Sequence, residues 1–343
     1  MSKIVPYVFT EWGNLTEVII GTTKNAQVPT VGDKSLHCID YAHLSNEEFK
    51  NRPSGAYPSK IIEETEEDLD NIAKSLEMLG IVVHRPLDID FTELRGNDHW
   101  KVDGYYNYCP RDTMFVVKDK VLATPMALRH RQFEYESCKP LFDPLHWFEA
   151  PKPKLLDSIY DRTDLSIPTL LNGEPIFDAA NILKAGYDIL YLVSNTGNVD
   201  GAVWLENWLK DNVDSRYKVH RAEGIYAYIH IDTTFVFLKE GLVLLNPSRV
   251  NKYNIPSFLK NWDKIWAPEP TITPVMDDWC PASPWLGMNI LSINDELVMV
   301  EESQTELMRV LEKNGINSHS IKLRNARTFS GGPHCISLDV RRN

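Results

Sequence analysis

No stretch of eighteen apolar residues occurs in the 343-residue chain, and residues 1–18 lack the basic, apolar and small-residue succession of a signal peptide. Neither a membrane-spanning helix nor secretion is therefore expected. Cysteine is sparse and unpatterned: Cys38, Cys109, Cys138, Cys280 and Cys335 are odd in number and never spaced C-x-x-C. That argues against a disulfide framework or a zinc knuckle and points to reduced thiols in a cytoplasmic protein. Positive charge is also short. With 36 Lys and Arg against 48 Asp and Glu the net charge is −12, and no basic cluster with interleaved aromatics offsets it. A nucleic-acid partner is not expected; the partners should be small molecules, and a homodimer is compatible with the composition. What remains is ordinary globular composition, 43% hydrophobic and 24% charged, in a chain long enough for two domains or one large closed architecture.

The most distinctive stretch lies near the C-terminus, Gly331-Gly332-Pro333-His334-Cys335, followed by Ile336, Leu338 and Val340 alternating with Ser337 and Asp339. Two glycines and a proline make a loop, and the alternation predicts a half-buried strand, so Cys335 is held at a loop–strand junction. A free cysteine is most often a small buried hydrophobe, and by itself this stretch does not decide between packing and chemistry.

Repeated units supply the frame. Thr16–Gly21 reads as an inner strand. Asn25–Ser59, broken by Pro29, Pro53, Gly55 and Pro58, reads as an irregular excursion over the surface. Ile61–Leu79 has helical apolar spacing, Gly80 stops it and Ile81–His84 follows as a strand. Three hairpins recur, at 112–125 around Lys118-Asp119-Lys120, at 233–246 around Lys239-Glu240-Gly241, and at 288–300 around Asn294-Asp295-Glu296. Strand, helix and strand are repeated at Tyr187–Val193, Ala202–Lys210 and Lys218–Arg221, and a helix at Thr305–Lys313 precedes a strand at Ser318–Leu323. Four or five ββαβ modules fit, and such modules close naturally into a ring whose inner strands converge on an axis. An ordinary mixed α/β sheet is the competing architecture.

Three motifs fall on that frame. Asp178, in Phe177-Asp178-Ala179-Ala180-Asn181, sits after a turn where a chain enters the ring. Ile229–Phe235 alternates, which places His230 and Asp232 on one face of a strand. Cys335 completes a thiol, imidazole and carboxylate set that only a shared centre could bring together. Taken singly, His230 is equally a core histidine, and Asp178 or Asp232 a turn or cap residue. Metal binding by Cys335, His230, Asp232 and His334 competes for the same residues, but their spacing matches no zinc pattern.

The order of several short motifs carries a family resemblance: Glu11-Trp12-Gly13-Asn14-Leu15, Cys109-Pro110-Arg111-Asp112, Pro125-Met126-Ala127 with Arg129 and Arg131, Phe177-Asp178-Ala179-Ala180, His230-Ile231-Asp232-Thr233-Thr234-Phe235, Asn246-Pro247-Ser248-Arg249, Trp285-Leu286-Gly287-Met288-Asn289, and His334-Cys335. In that order the chain resembles amidinotransferases of the arginine:glycine and arginine:inosamine-phosphate type, within the guanidine-modifying pentein superfamily. The resemblance runs nearly end to end and implies a single domain over residues 1–343, a five-bladed α/β propeller with pseudo-five-fold symmetry. It implies Cys335 as nucleophile, His230 as general acid/base and Asp178 as its carboxylate partner. Asp112 and Asp232 would grip the guanidinium of L-arginine and Arg249 its carboxylate. The implied course is ping-pong transfer through an amidino-cysteine, with ornithine released, a primary amine as acceptor, and no metal or cofactor.

Some positions depart from the glycine enzyme's pattern. Ala227 and Ile229 replace larger polar or thioether residues that shape the amino-acid site, Ser283 stands alone in Cys280-Pro281-Ala282-Ser283-Pro284 where a serine pair is expected, and Asn181 replaces an aspartate. A roomier and less polar wall beside His230 follows, favouring an amine other than glycine. A hydrolase of the same superfamily would use the same residues with water as acceptor. A binding protein on this propeller would have no reason to keep Cys335, His230, Asp178, Asp112 and Asp232 together.

Overall fold

A computed structural model describes residues 3–272 and 282–343, so Cys280 lies outside the described residues. Five three-stranded sheets organise these residues, each with the same pairing: the middle strand runs antiparallel to one neighbour and parallel to the other. One sheet joins the two ends of the chain, with Leu15–Ile20 between Ser337–Arg342 and Val82–His84. The others are Met114–Val117, Lys120–Ala123 and Trp147–Glu149; Ile182–Ala185, Asp188–Leu192 and Lys218–Ala222; Phe235–Lys239, Leu242–Leu245 and Asp263–Trp266; and Leu291–Ser292, Leu297–Glu301 and Asn317–Ile321. The three expected hairpins are all present.

A parallel neighbour needs a crossover, because a tight turn cannot bring the chain back to the same end of the sheet. Helices Ser59–Met78, Val199–Asn212 and Thr305–Lys313 make three of these crossovers. Gly80 and Gly315, at φ +82° and +77°, end two of them in the left-handed conformation glycine adopts at little cost. The other two sheets depart from the expected ββαβ unit. Pro125, Pro140 and Pro144 interrupt one crossover, and Pro247 and Pro256 the other, and both pass instead through short 3₁₀ turns such as Arg129–Arg131 and Ser257–Leu259.

Three other expectations are corrected. The C-terminal strand is buried on both faces rather than one: Ser337 and Asp339 are as inaccessible as Leu338 and Val340. Its polar side meets a buried charge cluster, where Asp339 forms an ion pair with Arg111 Nη2 at 2.7 Å and accepts a hydrogen bond from Arg342 Nε at 2.8 Å. Glu11 pairs with Lys184 Nζ at 2.9 Å in the same cluster. Buried charge persists only where it is paired, and here it is.

Residues 25–59 do not wander over the surface. They form helices Lys34–Ile39 and Asn46–Lys50 and a two-residue pairing of Gln27–Val28 with Gly55–Ala56. Leu36, Cys38, Ile39 and Phe49 enter the core. Nor is 229–234 a strand. His230 takes φ +59°, Thr234 and Phe235 N–H both donate to Ile231 C=O, and the strand begins only at Phe235.

Candidate active site

Cys335 lies in a turn two residues before the C-terminal strand and is 2% exposed. Arg111 Nε ties this turn down by donating to His334 C=O at 2.7 Å and Ser337 C=O at 2.8 Å. Gly331 is required by crowding: a Cβ there would stand 2.5 Å from Cys109 Sγ and 3.2 Å from Cys335 Cβ. Asn289 orients the thiol. Its Oδ1 accepts the N–H of His334 at 3.0 Å and of Cys335 at 3.2 Å, while its Nδ2 donates to Cys335 Sγ at 3.1 Å. The thiol itself donates to Asp232 Oδ2 at 3.2 Å. The neighbouring Cys109 thiol, burial, and the Asp232 and Asp112 carboxylates together push the Cys335 pKa well above its ordinary value, with His230 pulling the other way. The thiol is therefore protonated in these surroundings.

His230 faces two carboxylates. Its Nε2 is 3.1 Å from Asp178 Oδ2 and its Nδ1 is 3.9 Å from Asp112 Oδ1. Asp178 precedes the 3₁₀ turn Ala179–Asn181, and its other oxygen accepts the Ala127 N–H at 2.9 Å, which fixes the carboxylate plane toward the imidazole. Burial would lower the His230 pKa, but Asp112 and Asp178 outweigh it and hold the ring well above its ordinary value. It is an imidazolium, ready to give a proton.

Asp112 and Asp232 complete the centre. Arg131 Nη1 donates to Asp112 Oδ2 at 2.8 Å, whereas Asp112 Oδ1 is buried without a hydrogen-bond partner among the described residues. A buried carboxylate oxygen with an open lone pair is a place for a donor still to come. Asp232 accepts from His334 Nδ1 at 2.9 Å, and His334 Nε2 reaches Glu11 at 3.4 Å. Burial alone would raise the Asp232 pKa; His334 and His230 lower it, so the group is anionic.

Two cavities meet here. The inner one, about 20 Å³, is lined by Asp112, Asp178, His230, Arg131, Ile229 and Asp40 among others; Cys335 and Asp232 lie outside its lining. The outer vestibule, about 330 Å³, shares Ile39, Asp40 and Ile229 with it and adds His43, Tyr226, Tyr228, Arg249 and Ser283. Arg249 stacks on Tyr226 with 3.4 Å from guanidinium carbon to ring centroid, donates to Thr233 and Thr234 hydroxyls at 2.8 Å each, and reaches Ser283 Oγ at 2.8 Å. The sequence-based wall is corrected in one respect. Ile229 lines both cavities, but the remaining wall comes from Tyr226 and Tyr228 rather than Ala227, whose carbonyl accepts the Asn195 N–H at 2.7 Å. Asp40, His43, Arg249 and Ser283 stand beside them on that wall.

The structure thus gathers Cys335, His230, Asp178, Asp112 and Asp232 into one centre and places Arg249, Ser283 and Ile229 at its approach; Ala227 stands apart. Sequence reasoning gave no role to Asn289, Arg131 or Cys109, although each lay inside a motif it used, and it missed Asp40 and Tyr226. Among the described residues no group of three His, Cys, Asp or Glu side chains is placed to hold a metal ion, and no helix is long and apolar enough to cross a membrane.

No family model matches the chain. Individual relatives do. Inosamine-phosphate amidinotransferase 1 from Streptomyces griseus is 43% identical over 98% of this chain and 96% of that protein. L-arginine:L-lysine amidinotransferase from Pseudomonas savastanoi pv. phaseolicola is 32% identical over 97% of this chain and 93% of that protein. Among solved structures, an inosamine-phosphate amidinotransferase from Streptomyces griseus superposes with a TM-score of 0.95 at 42% identity, covering 99% of this chain and 98% of the other. DDAH from Pseudomonas aeruginosa superposes with a TM-score of 0.59 at 13% identity over 95% of this chain and 99% of that one, a likeness of fold alone. The fold is the pentein fold.

Proposed function

The chain belongs to the amidinotransferase family, and from that premise we propose that it carries the amidino group of L-arginine to a primary amine through an amidino-cysteine on Cys335, releasing L-ornithine. We read the five sheets as the blades of one propeller domain spanning residues 1–343. The observation that carries the proposal is the centre itself: an oriented thiol, an imidazolium between two carboxylates, and an unpaired oxygen on Asp112.

Each residue type fits the step assigned to it. A guanidinium is a planar cation, and Asp112 and Asp232 are the anions that would hold its edges. The Cys109 thiol, burial and the two carboxylates keep the Cys335 thiol protonated; the donor's charge offsets the carboxylate part, so donor binding releases the thiol proton to solvent. The thiolate attacks the central guanidinium carbon, a C–S bond forms, and the bond from that carbon to the ornithine δ-nitrogen breaks. His230 protonates the leaving nitrogen and becomes neutral. The acceptor amine then attacks the same carbon, gives a proton to His230, and the C–S bond breaks to return the thiolate.

The relatives that support this reading are named as transferases, which does not favour water as acceptor. Incubation with arginine alone and then with arginine plus a primary amine tests it. Ornithine in step with amine consumption is expected; citrulline would refute transfer.

A further inference from the structure

Asp40 and Arg249 stand on the wall of one cavity with opposite charges, and among the described residues neither has an ion-pair partner. Arg249 is held by hydroxyls, a carbonyl and the Tyr226 ring, all neutral. Asp40 caps helix Lys34–Ile39 with its N–H on Leu36 C=O, and no hydrogen-bond donor among the described residues reaches its carboxylate. Burial pushes its pKa up to about 6, against the pull of Arg131 and His230. The two groups are farther apart than an ion pair, in a vestibule of about 330 Å³ that shares Asp40 with the lining of the inner cavity.

The helix that carries Asp40 is fixed from beneath. Its N-cap Asp33 accepts the Leu36 N–H at 2.9 Å and pairs with Arg129 at 2.9 Å, and His130 lies 3.4 Å from Asp33. Asp40 is thus a preorganised acceptor rather than a mobile surface acid. An anion and a cation across one cavity, each without an ion-pair partner among the described residues, complement a ligand that carries both charges on neighbouring groups, which is the headgroup of an α-amino acid.

We propose that Asp40 binds the α-ammonium of the donor while Arg249 binds its carboxylate, so that the vestibule reads a zwitterion and selects arginine over guanidines lacking the α-amino group. This rests on arginine as the donor. It makes Asp40 a specificity-determining residue, not a participant in bond making.

The test compares arginine with 5-guanidinopentanoate, which keeps the carboxylate and lacks the ammonium. In the unaltered enzyme the analogue should have a kcat/KM lower by about tenfold or more, since one charge-assisted hydrogen bond is lost. Asp40→Asn should lower kcat/KM for arginine by a similar factor and leave the two donors nearly equal. Equal use of both donors by the unaltered enzyme would overturn the proposal even if the variant failed to fold. So would an Asp40→Asn variant that lost both donors to the same extent, the mark of a merely structural role. Absence of ornithine from arginine in the unaltered enzyme would refute the donor assignment itself, and the proposal with it.

Discussion

Around the thiol the charged groups answer one another: His230 meets Asp178 at 3.1 Å, and Asp232 meets His334 at 2.9 Å and Cys335 at 3.2 Å. In the vestibule Asp40 and Arg249 have no such partners among the described residues, and the space is about 330 Å³ against about 20 Å³ in the inner cavity. The inner groups come from segments flanking the sheet strands. Four of the eleven residues that line the vestibule, Ile39, Asp40, Ala42 and His43, come instead from the end of a short helix and the residues just beyond it. On the proposed reaction, the centre handles one planar cation and can be closed, with only Asp112 Oδ1 left without a partner among the described residues, whereas the vestibule would accept a donor and then a different amine and leaves charge and volume unspoken for. Changes in the inner cavity should therefore act on rate, and changes in the vestibule on selectivity.

The sharpest way to break that division is Cys335→Ala, which should abolish turnover and leave a cooperative thermal transition; residual turnover would show that the thiol is not the carrier. His230→Ala should follow with a fall in kcat of about 10²- to 10⁴-fold at little change in arginine affinity. An effect mainly on KM would move His230 to the vestibule's class. Arg249→Ala should weaken arginine by about ten- to a hundredfold while sparing agmatine, which has no carboxylate. Equal losses with both donors would contradict the carboxylate assignment.

A stability measurement separates the scaffold of the vestibule from its chemistry. Burial opposes protonation of His130, but hydrogen bonding and charge from Asp103 and Asp33 raise its pKa to about 9. A folded-state pKa above the unfolded value stabilises fully below about 6.5, and that contribution is lost as pH rises toward 9. On the acid side, His130 and Arg129 hold the Asp33 pKa down to about 2 against burial, so its contribution is lost as pH falls below about 4. The unfolding free energy of the native chain minus that of His130→Gln should thus be greatest between about pH 4 and 6.5 and shrink by about 3 kcal/mol toward pH 9. A difference that is flat with pH would show that His130 is neutral in the folded chain. The smallest effect belongs to the acceptor. Glycine should not have the highest kcat/KM in a panel of primary amines, though an apolar contact such as Ile229 separates amines by only about 10- to 200-fold per methylene.

How much of this was legible in the sequence follows the same division. Asp112, Asp178, His230, Asp232 and Cys335 lie in compact motifs beside strongly patterned strands, so both the frame and the groups that gather at its centre could be read. His230 was placed correctly at the centre for a wrong local reason: alternation in Ile229–Phe235 suggested a strand, but a left-handed residue and a turn turn the two side chains inward. Asn289 has no chemistry of its own to announce it; only tertiary contact reveals that an amide holds the sulfur. The vestibule helices are too short to show periodicity. Their caps were nonetheless visible, with Asp33 before Lys34–Ile39 and the Ser45-x-x-Glu48 capping box before Asn46–Lys50. Asp40 could not be found that way, because its significance is its lack of a partner in a cavity formed with residues some two hundred positions away.

The central claim is that Cys335 carries the amidino group between two separate half-reactions. Mixing the enzyme with arginine and no acceptor, quenching, and measuring intact mass with peptide mapping tests this directly. The account predicts one amidino group on the peptide containing Cys335, one equivalent of ornithine released with it, and loss of the adduct when a primary amine is added. Ornithine that appears only once the acceptor is present, with the protein mass unchanged throughout, would contradict it.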